Sequence, residues 1–294
     1  LLVFKRELHG FAWGLSRTEL RAAAEFAILA FVIYPILPAS AVQIEPLGIA
    51  IEPRVVWLMV VFVAAVGIVN YAVVRSYGPQ AIAVTGFFGG LASSTAVVGS
   101  MLDHVGADPE AADYSTAAVL LALSAMAFRN LVLALIFTFP QVLIGLVAPL
   151  GIIVLGGVGM GILRTEWSSK VEFDFESPFS LKYALAFGAM FAFVTVAGTM
   201  AQSQAGQAGL LITTFVSGFV SSAGATTSVV VLFRSGAVDT ATVTLGVLLA
   251  TTASMMVKAG LVATSPNRAF ARAVITRVAL LLVAAGIVAG LTVM

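Results

Sequence analysis

The sequence predicts an all-α fold, a polytopic transmembrane helical bundle of about nine spans. Three observations carry the prediction. Of 294 residues, 60% are hydrophobic and 10% charged, whereas soluble domains carry roughly 25% charged residues. Apolar runs such as Val55–Val74 and Val278–Met294 are long and continuous, with polar residues gathered between them. The period-two alternation that barrel strands require over about ten residues is missing from those runs. Lipid offers an open backbone no hydrogen bonds, so helices remain as the way to cross it.

The same composition sets aside soluble enzymes, disordered regulators and nucleic-acid binders. A net charge of +1 gives no reason to expect a polyanionic partner. With no cysteine there are no disulfides, thiolate metal sites or cysteine nucleophiles. His9 and His104 are too few and too far apart in sequence for a histidine metal cage.

Residues 1–21 are expected to form a cytoplasmic amphipathic leading segment. Its apolar Leu1-Leu2-Val3-Phe4 followed by Lys5-Arg6-Glu7 reads as the tail of a domain missing upstream, or as a short surface helix. The transmembrane domain is expected over residues 22–294. Runs of roughly 20 apolar residues place spans near 22–37, 55–75, 81–102, 115–138, 141–163, 180–200, 208–233, 241–263 and 275–294. The fourth and fifth are divided at Phe139-Pro140-Gln141, because proline lacks an N–H and restricts the residue before it. Under a nine-span count, Lys5, Arg6, Arg17, Arg21, Arg75, Arg268, Arg272 and Arg277 share one side. Glu45, Glu52, Asp103, Asp108, Glu110, Asp113, Glu166, Glu172, Asp174 and Glu176 fall opposite, together with Arg54, Arg164, Lys170, Lys182 and Arg234. The excess of basic residues puts the N-terminus in the cytoplasm and the chain in a cell membrane.

An internal repeat is visible. Gly86-Phe87-Phe88-Gly89-Gly90-Leu91-Ala92-Ser93-Ser94-Thr95 is echoed from Gly218 onward, at a separation of 132 (86 and 218) that pairs Ser94-Thr95 with Thr226-Thr227. Pro53 and Pro178 each begin a span, with a residue able to cap before them. Met126-Ala127-Phe128-Arg129 matches Met255-Met256-Val257-Lys258 at a separation of 129. Two pseudo-symmetric four-span repeats with broken helices follow, 52–163 and 177–294. They run parallel if every span crosses, and inverted if the third and seventh segments are re-entrant.

The candidate site comes from polar residues inside apolar runs. Gly89, Gly90, Ser93, Ser94 and Thr95 lie in one, and Ser221, Ser222, Gly224, Thr226, Thr227 and Ser228 in the other, with the breaks expected at Gly89–Thr95 and Gly224–Ser228. Glycine weakens a helix, and hydroxyls compete for its backbone bonds. A helix broken at membrane depth exposes amides and carbonyls, and half-helix N-termini attract anions. Small residues of this kind also serve close helix packing, as in Gly86-x-x-x-Gly90. Arg129, with Asn130 beside it, and Lys258 are basic residues deep in spans, where a charge costs roughly 2.5–3.5 kcal/mol; snorkelling to the nearer interface is the other role open to them. No carboxylate falls deep in any expected span. That disfavours a dehydrated Mg²⁺ or Ca²⁺ cage and suits an anionic or polar solute.

The sequence resembles the C-terminal membrane domain, of unknown function, of the MgtC/SapB family. The residues that carry the resemblance are Lys5-Arg6-Glu7-Leu8-His9, Leu20-Arg21-Ala22-Ala23, Tyr34-Pro35-Ile36-Leu37-Pro38, Glu52-Pro53-Arg54-Val55-Val56-Trp57, Gly89-Gly90-Leu91-Ala92-Ser93-Ser94-Thr95-Ala96, Ser177-Pro178-Phe179 and Val257-Lys258-Ala259-Gly260. The resemblance implies an MgtC-like helical domain upstream and an association with magnesium. Members of that family often carry an Asp-x-Asp string where Ser221–Ala225 stands and an asparagine near Ser254, so an acid-based cation site does not transfer.

The expected function is transport: a transporter or channel for a small ion or polar solute, with a midplane site between the two Gly/Ser/Thr segments. The alternative is a non-transporting regulatory membrane module of the MgtC/SapB type. Expected partners are the lipid bilayer and the solute, and a homo-oligomer is left open. No enzyme activity, cofactor, metal or nucleic acid is expected.

Overall fold

A computed structural model describes residues 16–44, 49–77, 82–139, 144–162 and 181–293. The correspondence at Pro178, Pro140 and the acidic stretch 166–176 lie outside them. Among the described residues the chain is all-α apart from one small hairpin. Four helices among the described residues are long and apolar enough to cross a membrane: Pro109–Thr138, Gly145–Ile162, Thr240–Ala263 and Arg268–Leu291. This is a helical membrane protein.

Helix α1 (Arg17–Ala27, continued by a π-helical stretch Ile28–Ile33 and by Tyr34–Ile36) begins on a capping box. Ser16 Oγ accepts from the Glu19 N–H at 3.2 Å, and the Ser16 N–H donates to the Glu19 carboxylate at 2.6 Å. It runs through the expected boundary at residue 21 without interruption. In its π-stretch the Leu29 carbonyl accepts from Trp57 Nε1 at 2.8 Å. Arg54 donates to the carbonyls of Leu37 and Pro35, and its guanidinium lies 5.9 Å from the centre of the Tyr34 ring. Strands β1 (Val42–Ile44) and β2 (Ile49–Ile51) pair antiparallel, with Val42 opposite Ile51.

The remaining helices are α2 (Pro53–Tyr77), α3 (Ile82–Ala107), α4 (Ala112–Thr138), α5 (Ile144–Ile162), α6 (Leu181–Val220), α7 (Ser222–Arg234), α8 (Thr240–Ala263) and α9 (Arg268–Val293). Helix α4 ends at Thr138, where the Phe139-Pro140 pair predicts it. It is the centre of the core: every residue from Ser115 to Ala127 is buried. A helix apolar on all sides has to be enclosed by others.

Two segments read as single spans are not single helices. Backbone geometry turns non-helical at Ser93 inside α3. Gly86 and Gly90 press on Ala118 and Ala122, so residues 82–92 run alongside α4 in its own direction. His104 then meets Tyr114, 3.2 Å from Nδ1 to the hydroxyl, so residues 94–107 return to the end where α4 starts. Each half is shorter than the roughly 20 residues a crossing needs.

The second, expected as one span over 208–233, reverses inside it, and the turn before it falls in the expected gap between the spans 180–200 and 208–233. Helix α6 doubles back at Ala205 and Gly206, with Gly209 pressed on Ala201 and Gly198 facing Leu210. Gly206 sits at φ 60°, ψ −151°, a conformation open in practice to glycine alone. Residues 207–220 run beside the start of α8, Gly218 against Ala250. The chain then reverses at Ser221, and α7 returns to the end where α8 starts.

Hydrogen bonds identify the two ends. At the first, Asn267 Nδ2 donates to the Pro109 carbonyl at 3.3 Å, joining the 108–111 and 264–267 turns. At the second, Arg234 donates to the Phe137 carbonyl and to both Glu52 oxygens at 3.1 and 3.2 Å. The acidic turn with Asp108 and Glu110 therefore adjoins the loop before Arg268, whereas a nine-span count puts them on opposite sides. The reversal at Ser93 is the reason: both ends of α3 lie at one end of the bundle.

Candidate ion or solute site

Ser93 and Ser221 mark the two reversals with almost the same backbone. Ser93 lies at φ −153°, ψ 95° and Ser221 at φ −152°, ψ 107°. Each is an N-cap in extended conformation, its hydroxyl accepting the amide three residues on. The Ala96 N–H reaches Ser93 Oγ at 3.2 Å, and the Gly224 N–H reaches Ser221 Oγ at 3.1 Å.

The separation is 128 residues (93 and 221), and further pairs keep it. Gly90 against Ala122 becomes Gly218 against Ala250. A Cβ on Gly218 would stand 2.6 Å from the Ala250 carbonyl oxygen, and one on Gly90 would overlap the Ala122 backbone more closely still. The register of 132 that pairs Ser94-Thr95 with Thr226-Thr227 is not the one these contacts follow. At 128, Asn130 stands opposite Lys258, and Arg129 opposite Val257. The signal was the string Gly-x-x-Ser-Ser, present as Gly90-Leu91-Ala92-Ser93-Ser94 and Gly218-Phe219-Val220-Ser221-Ser222.

The first break falls at Ser93, inside the expected Gly89–Thr95 stretch. Gly89, Gly90 and Ser94 are buried, while Ser93 and Thr95 are exposed. The second falls at Ser221, before the expected Gly224–Ser228 stretch, which forms the first turns of α7. Ser221 belongs to the second Gly/Ser/Thr run of the sequence but lies outside the expected break, and Gly218 stands outside the expected candidate residues.

The buried polar groups gather along α4, α6, α7 and α8. Arg129 Nη1 donates to the Leu91 carbonyl at 2.9 Å. That carbonyl ends the first half of α3 and has lost its helical donor to the break. Arg129 Nε is buried with no partner among the described residues. Asn130 donates to Thr251 Oγ1 at 3.0 Å, which ties the middle of α4 to the middle of α8. Lys258 is 4% exposed and gives two bonds to Ser254, 2.7 Å to Oγ and 3.3 Å to the carbonyl. It does not snorkel outward. Ser228 Oγ shares a 2.9 Å hydrogen bond with Thr195 Oγ1. Thr226 and Thr227 are fully buried, and neither hydroxyl has a partner among the described residues. Among the described residues no group of three or more His, Cys, Asp or Glu side chains stands close enough to hold a metal.

Apolar crossing helices, two serine-capped reversals, a buried lysine and a half-buried arginine define a helical membrane protein with broken helices in its interior. The chain belongs to the family described as a domain of unknown function (DUF4010), whose model matches residues 61–265. No curated protein and no solved structure matches it. The match spans both reversals, Arg129 and Lys258, and it carries no link to the MgtC/SapB family.

Proposed function

We propose that the protein is an integral membrane transporter or channel for a small ion or polar solute. The solute would bind near the bilayer midplane, between the tips at Ser93 and Ser221. On this reading the repeats 52–163 and 177–294 are inverted, and α3 and the 207–234 segment are re-entrant hairpins from opposite faces. The span count becomes seven crossings and two hairpins instead of nine crossings. One observation supports this above the rest: two reversals 128 residues apart with the same serine cap and the same glycine–alanine contact. They are seated on α4 and α8, which Asn130 and Thr251 join. Broken helices at a repeat interface are where transporters hold their solutes.

The basic residues Arg17, Arg21, Arg268, Arg272 and Arg277 belong to the first end, and Arg54 and Arg234 to the second. The positive-inside rule then puts the first end and the N-terminus in the cytoplasm of a cell membrane.

Purified protein in liposomes tests the reading, with K⁺, Na⁺, Mg²⁺, chloride, nitrate, phosphate and glycerol offered in turn. Flux of at least one species is expected, and it should fall in Thr95→Val and Arg129→Met with the folding transition intact. No flux of any solute would favour the second reading, a non-transporting regulatory module of the magnesium-associated MgtC/SapB type. That reading rests on the resemblance of strings such as Gly89–Ala96 and Glu52–Trp57.

A further inference from the structure

We propose that Arg234 is the gate residue of the second end, and that the two ends of the bundle open by turns with the second held shut more firmly. This rests on the transport reading and adds to it how access to the site is controlled. Side-chain bonds cross from the 52–163 repeat to the 177–294 repeat at three levels. In the middle, Asn130 Nδ2 donates to Thr251 Oγ1 at 3.0 Å, and both residues are fully buried. At the first end, Asn267 Nδ2 donates to the Pro109 carbonyl at 3.3 Å. At the second, Arg234 Nη1 donates to the Phe137 carbonyl at 3.0 Å, and Nη2 to the two Glu52 oxygens at 3.1 and 3.2 Å.

The end contacts are unequal. The first is a neutral bond, longer than most of its kind. The second is charged and joins three elements. Phe137 lies in the last turn of α4, where carbonyls have lost their helical donors. A guanidinium answers such a carbonyl with a charge-assisted bond. Arg234 is itself the last residue of α7, where a cation suits the helix dipole. Glu52 stands just before Pro53, the first residue of α2. One side chain therefore ties the ends of α4 and α7 to the start of α2.

Rocking of one repeat against the other breaks the contact at whichever end opens. The buried bond between Asn130 and Thr251, midway between the ends, is placed to serve as the pivot. The first end has less to break. The second can still be released, because the Arg234 and Glu52 side chains are 31% and 39% exposed. Ion pairs that water reaches are weak and sensitive to salt. A shallow cleft lined by Glu52, Val55, Val231, Arg234 and Ser235 already lies at the pair. Two turns deeper on the same face of α7 stands Thr227, buried and roughly 10 Å along the axis from Arg234.

The full chain has no cysteine, so Thr227→Cys in oriented liposomes serves as the parent and reports opening beneath the gate. An impermeant maleimide is applied from the side of the second end. Labelling should be slow in the parent and rise about 5–30-fold in Glu52→Gln and in Arg234→Met. The double variant should match the larger single effect, because both changes remove one contact. The parent rate should rise with sodium chloride, and the rates of the two variants should not. Asn267→Asp keeps the oxygen that caps α9 and loses the donor to Pro109. It should slow the labelling, since an easier first end leaves the second shut for longer. Ser115→Cys, buried near the start of α4, replaces Thr227→Cys as a control for general loosening and should label no faster when Glu52 is changed. If Arg234→Met does not fold, Glu52→Gln decides alone. Unchanged labelling in the gate variants, a rise shared by Ser115→Cys, a salt effect equal in all proteins, or equal or faster labelling in Asn267→Asp would each overturn the proposal. Solute flux in the parent separates the two levels. Flux with unchanged labelling in the gate variants removes the gate and leaves transport standing. Faster labelling without flux of any solute leaves Arg234 as the closure of that end and removes transport.

Discussion

At the scale of single residues, the glycines discriminate between contact and vacancy. Gly90 lies so close to Ala122 that an added methyl group must push α3 off α4, whereas nothing stands within 4 Å of a Cβ at Gly99. Gly90→Ala is expected to lower unfolding stability by about 1–3 kcal/mol, as overpacking does. Gly99→Ala, in a helix with open space, should be neutral or raise stability by about 0.5–1 kcal/mol. Thermal or denaturant unfolding of the two variants checks the pair, and equal effects would contradict the contact. Arg129 and Lys258 were legible in the sequence, because a base inside an apolar run has few explanations. Their register was not. Arg129 and Lys258 look equivalent by charge, yet the backbone equivalence runs from Asn130 to Lys258, and only the contacts at Gly90 and Gly218 reveal it.

At the scale of elements, the caps carry the breaks. Ser221→Ala removes the side-chain acceptor of the Gly224 amide and should cost about 0.5–2 kcal/mol, with Ser221→Asn close to neutral. Measured unfolding midpoints of the two variants decide it. The cap of α8 titrates. The Thr242 side chain and amide, the latter at 2.8 Å, donate to Asp239 and hold its carboxyl below the usual carboxylate range. A depressed value means that the charged form stabilises the fold above the unfolded pKa of about 3.9. That contribution is lost as pH falls through the lower folded value. The midpoint difference between wild type and Asp239→Asn should therefore be constant near neutral pH and shrink below about pH 4. A difference that grows on acidification would reverse the sign.

Element type was readable for the long helices, since continuous apolar runs of this length are helices in lipid, but the small hairpin of Val42–Ile44 with Ile49–Ile51 was not. Where they break was not. Ser93-Ser94-Thr95 and Ser221-Ser222 each offer several residues able to cap. The composition of residues 82–107 is the same whether the segment crosses or returns. The decision belongs to α4, whose small residues Ala118 and Ala122 accept Gly86 and Gly90.

At the scale of the whole molecule, the two readings differ in sidedness, and the chain supplies its own background for measuring it because it has no cysteine. With α3 returning at Ser93, Asp108→Cys should be labelled by an impermeant thiol reagent from the same side as Thr264→Cys. Ser40→Cys and Ala241→Cys should react from the other. A nine-crossing bundle groups Asp108→Cys with Ser40→Cys and Ala241→Cys instead. Labelling in sealed, oriented vesicles distinguishes the two directly. The helical class and the breaking of two segments could be read from the sequence. The meeting of the 108–111 and 264–267 turns could not, because it depends on a reversal that no loop announces.

The bond from Arg129 to the Leu91 carbonyl has a consequence for biogenesis. The two partners are 38 residues apart, and the arginine comes second. At about 5–20 residues per second, a ribosome finishes the first half of α3 some 2 to 8 s before it delivers the group that answers its open end. During that interval the half-inserted hairpin has neither α4 nor its guanidinium, and it is too short to cross the bilayer by itself. The insertion machinery must therefore shelter the nascent segment until the next helix arrives, and a pause or truncation between residues 93 and 129 would release an unfinished membrane chain to quality control.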